Sequence, residues 1–308
     1  MKFNRVFLSL ALLTVFIISC APQAATQPAG DGANAPINIT VSILPQKYLV
    51  ERVGGSHVKV NAMVVEGASP HTYEPKPEQM RELANSAAYF TIGVEYEHAW
   101  LERIQDANTN MQIVDISEGI ERIPMVEHHH EGDKQGDEQE GEEHEESGLD
   151  PHVWTSPRLV KMIANNILTA LVKLDPDHQK DFEQNLQMLN TEIDQLDESI
   201  KSTLEASTDR SFIVFHPAWG YFAQDYKLTQ IPIEVEGQEP SPQELVNIID
   251  EAKEEHSKVV FAQPGISTKT ADTIAQEING EVVLINPLEE NWLENLQKVA
   301  EAFASALK

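Results

Sequence analysis

The stretch PDHQKDFEQNLQMLNTEIDQLDESIKSTLEA, residues 176–206, decides how the chain is organised, because its apolar residues recur with the period of one long helix. The apolar positions are separated by 4, 3, 4, 3, 4 and 4 residues and are Phe182, Leu186, Leu189, Ile193, Leu196, Ile200 and Leu204. With Pro176 in its first turn, such a helix would measure about 45 Å. We predict a stiff helix over 176–208 that joins two lobes. The alternative is a coiled-coil partner, although Asp and Glu crowd the other faces without the opposite-charge pattern that fixes one.

On both sides of this helix, short β-branched runs alternate with helical patterns, which is typical of β-α units around mostly parallel sheets. The strands are predicted over 37–44, 58–65, 88–94, 112–116, 212–215, 230–235, 258–262 and 281–285. The helices between and after them are predicted over 46–53, 77–84, 98–107, 218–226, 242–256, 268–278 and 292–307. The predicted fold class is therefore α/β: two lobes, 37–175 and 209–308, each with a four-stranded mostly parallel sheet and flanking helices, joined by one long rigid helix.

The charge and cysteine content narrow the possible functions. The 308 residues include 22 Lys and Arg against 50 Asp and Glu, a formal charge of −28, which disfavours a nucleic-acid partner because phosphate binding needs basic contacts. The only cysteine, Cys20, allows neither an intrachain disulfide nor a thiolate cluster. Any metal must therefore be held by histidine, carboxylate or amide groups.

The first residues have the pattern of an export signal. Lys2 and Arg5 precede the apolar run 6–18, which is shorter than the roughly 20 residues that a membrane-spanning helix needs. The run ends in Ile-Ile-Ser-Cys at 17–20, which resembles a bacterial lipoprotein box. We expect residues 1–19 to be a signal peptide, Cys20 to carry the lipid anchor in the membrane, and 20–36 to be a flexible tether.

An acidic, histidine-rich segment interrupts the first lobe at 127–148. Residues 127–147 hold ten acidic residues, one lysine and four histidines, His128, His129, His130 and His144, with almost nothing apolar. Such a segment cannot offset its ordering entropy and is predicted to be a mobile loop. Two interpretations stay open: a solvated insertion, or an accessory arm that collects metal weakly.

Position separates the other histidines. His57, His98, His178 and His256 fall in predicted turns or on polar helix faces and are interpreted as surface or packing residues. Three more have proline neighbours and lie in loops or at strand ends: His71, His152, which is predicted to open a helix, and His216. In open α/β sheets the carboxyl ends of the strands line the ligand crevice, so these three imidazoles could converge between the lobes as a cation site.

The motifs around these histidines resemble the metal-binding proteins of bacterial ABC importers, within the zinc-binding, ZnuA-like branch of the TroA-like family. The similarity covers nearly the whole mature chain, which is expected to begin at Cys20. It rests on PHTYEP at 70–75, LDPHVW at 149–154, FHPAWGYF at 215–222, EGQEPS at 236–241, FAQP at 261–264 and INPL at 285–288. The resemblance implies an extracytoplasmic, monomeric zinc-binding protein, not an enzyme, that delivers Zn²⁺ to a membrane permease driven by a cytoplasmic ATPase.

The resemblance also implies the metal ligands. His71, His152 and His216 match the three metal-binding histidines; manganese-binding relatives place a carboxylate where His216 stands, and imidazole suits zinc better than manganese. The family commonly has aspartate where this chain has Asn286. The fourth ligand is therefore expected to be Asn286, as a weak donor, or water in its place.

Other functions remain possible at this point. A zinc hydrolase is one, because three histidines plus a bound water also form a catalytic site, although no His-Glu-x-x-His motif is present. A manganese-binding member or a surface adhesin of the same family is another.

Overall fold

A computed structural model describes residues 35–125, 148–234, 238–265 and 268–307. The first sheet contains β1 (Ile37–Val41), β2 (Val58–Ala62), β3 (Ala88–Thr91) and β4 (Gln112–Asp115). The second contains β5 (Ser211–Val214), β6 (Thr229–Pro232), β7 (Val259–Ala262) and β8 (Glu281–Leu284). The strand orders are β2-β1-β3-β4 and β6-β5-β7-β8, and every pairing is parallel. The two sheets thus repeat one plan, and the predicted fold class is confirmed.

The helices that flank the sheets follow the chain order. In the first half they are α1 (Leu44–Gly54), α2 (Pro77–Glu82), α3 (Glu95–Ala107) and α4 (Pro157–Leu174). The long helix is α5 (Gln179–Glu205), and the second half adds α6 (Gly220–Tyr226), α7 (Pro242–Glu254), α8 (Lys269–Glu277) and α9 (Trp292–Ala306). None of the helices in these ranges combines the length and apolar character that a bilayer crossing requires.

Helix α5 joins the two halves into one core. A single 3₁₀ turn, Pro176–His178, precedes its 27 residues, which span about 40 Å. All seven apolar residues of the predicted stripe are buried, against α1 and α4 in the first half and α9 in the second. The stripe is therefore covered by the chain itself, and the coiled-coil alternative is wrong. One continuous apolar cluster includes Phe90, Leu189 and Phe303, which lie in the first half, the long helix and the second half.

The predicted and observed elements differ mainly at strand ends and at α4. Several predicted strands extend too far because apolar residues continue into the loops at the carboxyl edge, where Ile43, Val64 and Ile92 are buried without belonging to a strand. The sequence predicts that His152 opens a helix; instead His152 caps a 3₁₀ turn, Val153–Thr155. Helix α4 begins only at Pro157, where the Ser156 hydroxyl accepts a hydrogen bond from the amide of Leu159.

Candidate metal centre

Three histidines from separate parts of the chain meet between the two sheets. His71 lies in the loop between β2 and α2, His152 precedes the 3₁₀ turn before α4, and His216 follows β5 by two residues. The Nε2 atom of His216 lies 3.0 Å from that of His71 and 3.3 Å from that of His152. One ring nitrogen from each of the three can be chosen so that all lie within 4.8 Å of one another. The structure thus brings together the three histidines that the sequence singled out.

A carboxylate accepts a hydrogen bond from the Nδ1 atom of each of the three imidazole rings. The Nδ1–H of His71 donates to Glu95 Oε1 at 2.9 Å, that of His152 to Asp150 Oδ1 at 2.7 Å, and that of His216 to Glu234 Oε2 at 2.6 Å. Since a carboxylate only accepts, each Nδ1 carries a proton, and in the neutral ring each Nε2 then keeps its lone pair. This carboxylate–histidine pattern is the one that orients imidazole ligands toward a metal.

The geometry of the Nε2 atoms suits a tetrahedral zinc ion. At a Zn–N distance of about 2.0–2.1 Å, two tetrahedral ligands lie about 3.3 Å apart. The observed separations of 3.0 and 3.3 Å are close to that spacing. In the neutral rings, lone pairs that face one another at such distances repel unless a proton or a metal ion lies between them. The donor set therefore fits a divalent ion that accepts imidazole, and zinc is such an ion.

The histidines differ in exposure and in pKa. The side chain of His71 is 28% exposed, whereas His152 and His216 are buried. Burial lowers the pKa of His71, but the hydrogen bond and charge of Glu95, with the charge of Glu234, raise it above 6.5 overall. Burial, reinforced by the neighbouring rings of His152 and His71, lowers the pKa of His216 despite its bond to Glu234. His71 is thus the ligand nearest solvent and the one that binds a proton more readily than His216.

The charge of the site is fixed mainly by its carboxylates. Burial raises the pKa of Glu95, but the hydrogen bond and charge of His71, with the charge of His152, bring it down to about 2. Glu95 is therefore ionised at neutral pH. Its second oxygen, Oε2, is enclosed and has no hydrogen-bond partner among the described residues.

Strand order explains how these carboxylates reach the site. Strands β5 and β6 are neighbours in parallel register, with Val214 opposite Pro232. His216 and Glu234 each follow that pair by two residues, so both side chains emerge at the same carboxyl edge. Asp150 precedes His152 by two residues and bonds both its amide and its ring. The sequence analysis missed Glu95, Asp150 and Glu234; Asp150 stood inside the quoted motif, and its spacing was an available signal.

His152 precedes the long helix in the sequence, but hydrogen bonds of its neighbours attach it to the second half. The Tyr221 hydroxyl donates to the Asp150 carbonyl at 2.7 Å. The Trp154 ring donates to the Pro287 carbonyl at 2.8 Å, and the Trp292 ring donates to the Trp154 carbonyl at 2.6 Å. His152 and His216 are therefore held on one side of the cleft, and His71 comes from the other side.

Asn286 lies in a different setting. Its amide oxygen accepts from the backbone of Leu288 at 3.0 Å, and its amide nitrogen donates to Glu289 at 3.3 Å. The Asn286 side chain lines a separate groove together with Lys47 and Glu290. Lys47 and Glu290 form an ion pair there. Of the two fourth donors expected from the sequence, this arrangement favours water over Asn286.

The other histidines that the structure describes do not join the cluster. His57 stacks on His178, with ring centroids 3.9 Å apart, near the start of α5, and His98 and His256 are exposed. The accessory histidines, His128, His129, His130 and His144, lie outside the described residues, as do Cys20 and the predicted leader. The accessory arm and the lipidation site therefore stay predictions.

Comparisons with known proteins identify the family of the chain. The family model described as "Zinc-uptake complex component A periplasmic" matches residues 39–306. The high-affinity zinc uptake system protein ZnuA of Bacillus subtilis is 28% identical over 277 residues, 89% of this chain and 85% of that protein. The zinc-binding lipoprotein AdcA of Streptococcus pneumoniae strain R6 is 25% identical over 301 residues, 97% of this chain and 58% of that protein.

Solved structures give the same result. A crystal structure of ZnuA has a TM-score of 0.81 and 43% identity, covering 89% of this chain and all of that one, 100%. A zinc-bound deletion mutant of ZnuA has a TM-score of 0.80 and 42% identity, covering 89% of this chain and 99% of that one. With a family match that spans both sheets and all three histidines, the chain belongs to the ZnuA family of periplasmic zinc-uptake components.

Proposed function

We propose that this protein captures Zn²⁺ outside the cytoplasm in the cleft between its two lobes and delivers it to the permease of an ABC importer, driven by a cytoplasmic ATPase, for high-affinity zinc uptake. The observation that carries the proposal is the convergence of three Nε2 atoms whose Nδ1 partners are all carboxylates. His71, His152 and His216 supply three of the four donors that tetrahedral zinc takes, and water supplies the fourth.

The three carboxylates supply the negative charge that the ligands lack. Neutral imidazoles bring no charge to a divalent ion, and Asn286 replaces the acidic ligand that relatives commonly have. Glu95, Asp150 and Glu234 stand one ring away from the metal position and bring three negative charges. They stabilise the cation electrostatically while leaving the ligand atoms themselves as nitrogen, which favours zinc over manganese.

Release follows from the division of ligands between the lobes. His71 comes from the first half, and the pair His152 and His216 is anchored to the second. A small separation of the lobes therefore withdraws one ligand of three without dismantling the others. Because α5 packs along both halves, the motion that a permease must induce is a small rocking of one half against the other.

Metal stoichiometry and turnover test this proposal together. The purified protein should bind one zinc tightly, in competition with a chelator, and should bind manganese far more weakly. Esterase and phosphatase assays of the zinc-loaded protein should give no turnover, because the site serves binding rather than catalysis. Zinc-dependent hydrolysis would instead support the hydrolase alternative, and equal affinity for the two metals would contradict the selectivity.

The change Gly220→Ala should weaken zinc binding about 10- to 100-fold, the range typical of damage to a group that orients a metal ligand. A Cβ at Gly220 would lie 2.7 Å from Asp150 Oδ2, so Asp150 must shift, and His152 with it. Gly148→Ala is the matched control, since its Cβ would meet nothing within 4 Å. Chelator competition measures both affinities; equal affinities for the two variants would contradict the role of Asp150.

The change Asn286→Asp should alter zinc affinity by less than about threefold, equivalent to under 1 kcal/mol. Both ends of the amide at this position are already engaged, by the backbone of Leu288 and by Glu289. A tenfold or greater gain in affinity, measured by the same competition, would show that residue 286 ligates the metal after all.

We also propose that Cys20 carries a lipid that tethers a monomeric protein to the membrane. The support is the lipoprotein box at 17–20 together with membership of a periplasmic family that has a lipoprotein relative. Cys20→Ala should abolish palmitate labelling in cells and release the protein from the membrane fraction, while Ser19→Gly, which keeps the small residue of the box, should leave both unchanged. Persistent membrane association of the alanine variant would refute the anchor.

A further inference from the structure

Two exposed glycines, one from each half, meet at the boundary between the halves. Gly67 lies in the loop that carries His71, and Gly265 follows β7 by three residues. A Cβ atom built on Gly265 would lie 2.9 Å from the carbonyl oxygen of Gly67, whereas ordinary van der Waals contact begins near 3.4 Å. The two backbones are therefore closer together than any side chain at position 265 would allow.

The loop that holds Gly67 is fixed to the first half on both sides of this glycine. The amide of Val64 donates to the carbonyl of the residue after β1 at 2.9 Å, and the Pro70 carbonyl accepts from the Tyr96 amide at 3.2 Å. His71 follows directly after Pro70. A displacement of Gly67 relative to the second half therefore moves His71 in the same direction.

Gly265 is held by the same sheet as His216. Strand β7 lies between β5 and β8, so it is hydrogen-bonded on both sides. The amide of Phe215, next to His216, donates to the Phe261 carbonyl of β7 at 2.7 Å. Pro264 restricts the backbone directly before Gly265. Gly265 and His216 are thus parts of one framework, as Gly67 and His71 are of the other.

We propose that Gly265 is a positioning residue for the metal centre, because its contact with Gly67 limits how far the two halves can close. The inference rests on the proposed zinc function and adds the contact that sets the ligand spacing. The Nε2 atoms of His71 and His216 lie 3.0 Å apart across this boundary. A side chain that held the loops apart by a further ~0.5 Å would move the His71 nitrogen away from its tetrahedral position.

The ion pair at the same boundary does not set the spacing in this way. Lys47 of α1 and Glu290, which precedes α9, join the two halves, and both side chains are partly exposed. Exposed ion pairs contribute little stability, and their long side chains adapt to a range of separations. A contact between two backbones has no such freedom. The glycine pair therefore fixes a distance that the ion pair only tolerates.

The test compares Gly265→Ala with Gly67→Ala in the full-length protein. Both glycines have a positive φ, 84° and 77°, so both alanines carry similar backbone strain. Only the alanine at 265 meets the opposite loop, since a Cβ at Gly67 would have nothing within 4 Å. Zinc affinity, measured by chelator competition, should fall about tenfold in Gly265→Ala, as for damage to a group that orients a ligand, and less than about twofold in Gly67→Ala.

The ligand-field absorption of bound Co²⁺ reports the geometry of the site, which a general loss of stability would not change. The absorption should be altered in Gly265→Ala and should match the wild type in Gly67→Ala. Gly265→Asn and Gly67→Asn repeat the comparison with a residue that tolerates positive φ, so the test holds if an alanine variant does not fold.

Equal affinities for the variants at 265 and 67 would overturn the inference, whether both match the wild type or both are weakened. An unchanged Co²⁺ spectrum in the Gly265 variants would overturn it as well. A wild-type protein that binds no zinc would instead refute the proposed zinc function.

Discussion

Replacing His152 by alanine should lower zinc affinity at least about a thousandfold, equivalent to about 4 kcal/mol. The change removes one of three nitrogen donors, and it does so at the most enclosed of them, since His152 is 2% exposed. It also removes the imidazole that donates a hydrogen bond to Asp150. The buried carboxylate of Asp150 would then lack this donor. Metal affinity is therefore expected to fall by more than the loss of a single exposed ligand would cause.

Chelator competition and metal analysis of the purified variant measure this effect. The control is His256→Asn: His256 is exposed and has a φ of 55°, a conformation that asparagine tolerates better than alanine. The control should bind one zinc with unchanged affinity. If His152→Ala retains zinc within tenfold of the wild-type affinity, then His152 is not a ligand and the proposed centre is wrong.

The ligand histidines could be chosen from the sequence because each has local signals of its own. His216 follows a short apolar strand and precedes a proline, and His71 and His152 sit in comparable proline-flanked turns. Parallel strands bring their carboxyl ends to one edge, so the convergence followed from the predicted fold class. The apolar stripe of α5 likewise predicted the helix that joins the lobes. Apolar residues that recur every three to four positions indicate a helix, whereas those of a half-buried strand recur every two.

The carboxylates could not be found in the same way. Glu234 meets His216 only because β5 and β6 are neighbours in register, and sequence does not give strand order. Glu95 begins α3 and reaches His71 across the carboxyl edge of a sheet in which β2 and β3 are separated by β1. The hydrogen bonds of Asn286 likewise depend on the turn to Leu288 and on the nearby Glu289, which the sequence alone did not indicate.

Zinc affinity should fall at least about a thousandfold between pH 8 and pH 5, because protons compete with the metal for imidazole nitrogen. A raised ligand pKa means that the competition begins at a higher pH. Burial lowers the pKa of His71, yet Glu95 and Glu234 together raise it above 6.5, so affinity should begin to decline while the pH is still near neutral. The pKa of His216 is lowered, so its proton competes only at more acidic pH and steepens the decline there.

Titration calorimetry in two buffers of different ionisation enthalpy measures the affinity and the number of protons released at each pH. The matched variant is Glu95→Gln, which keeps a hydrogen-bond acceptor for His71 but removes the charge that raises its pKa. Its affinity at pH 8 should be lower than that of the wild type, and the onset of its decline should move to lower pH. The first shift weakens zinc binding, whereas the second makes it less sensitive to acid. Both follow because the carboxylate attracts the metal and also raises the affinity of His71 for the competing proton. An affinity that stays constant from pH 8 to pH 5 would mean that the histidines do not hold the metal. If the onset of the decline is the same in Glu95→Gln as in the wild type, then Glu95 does not raise the pKa of His71.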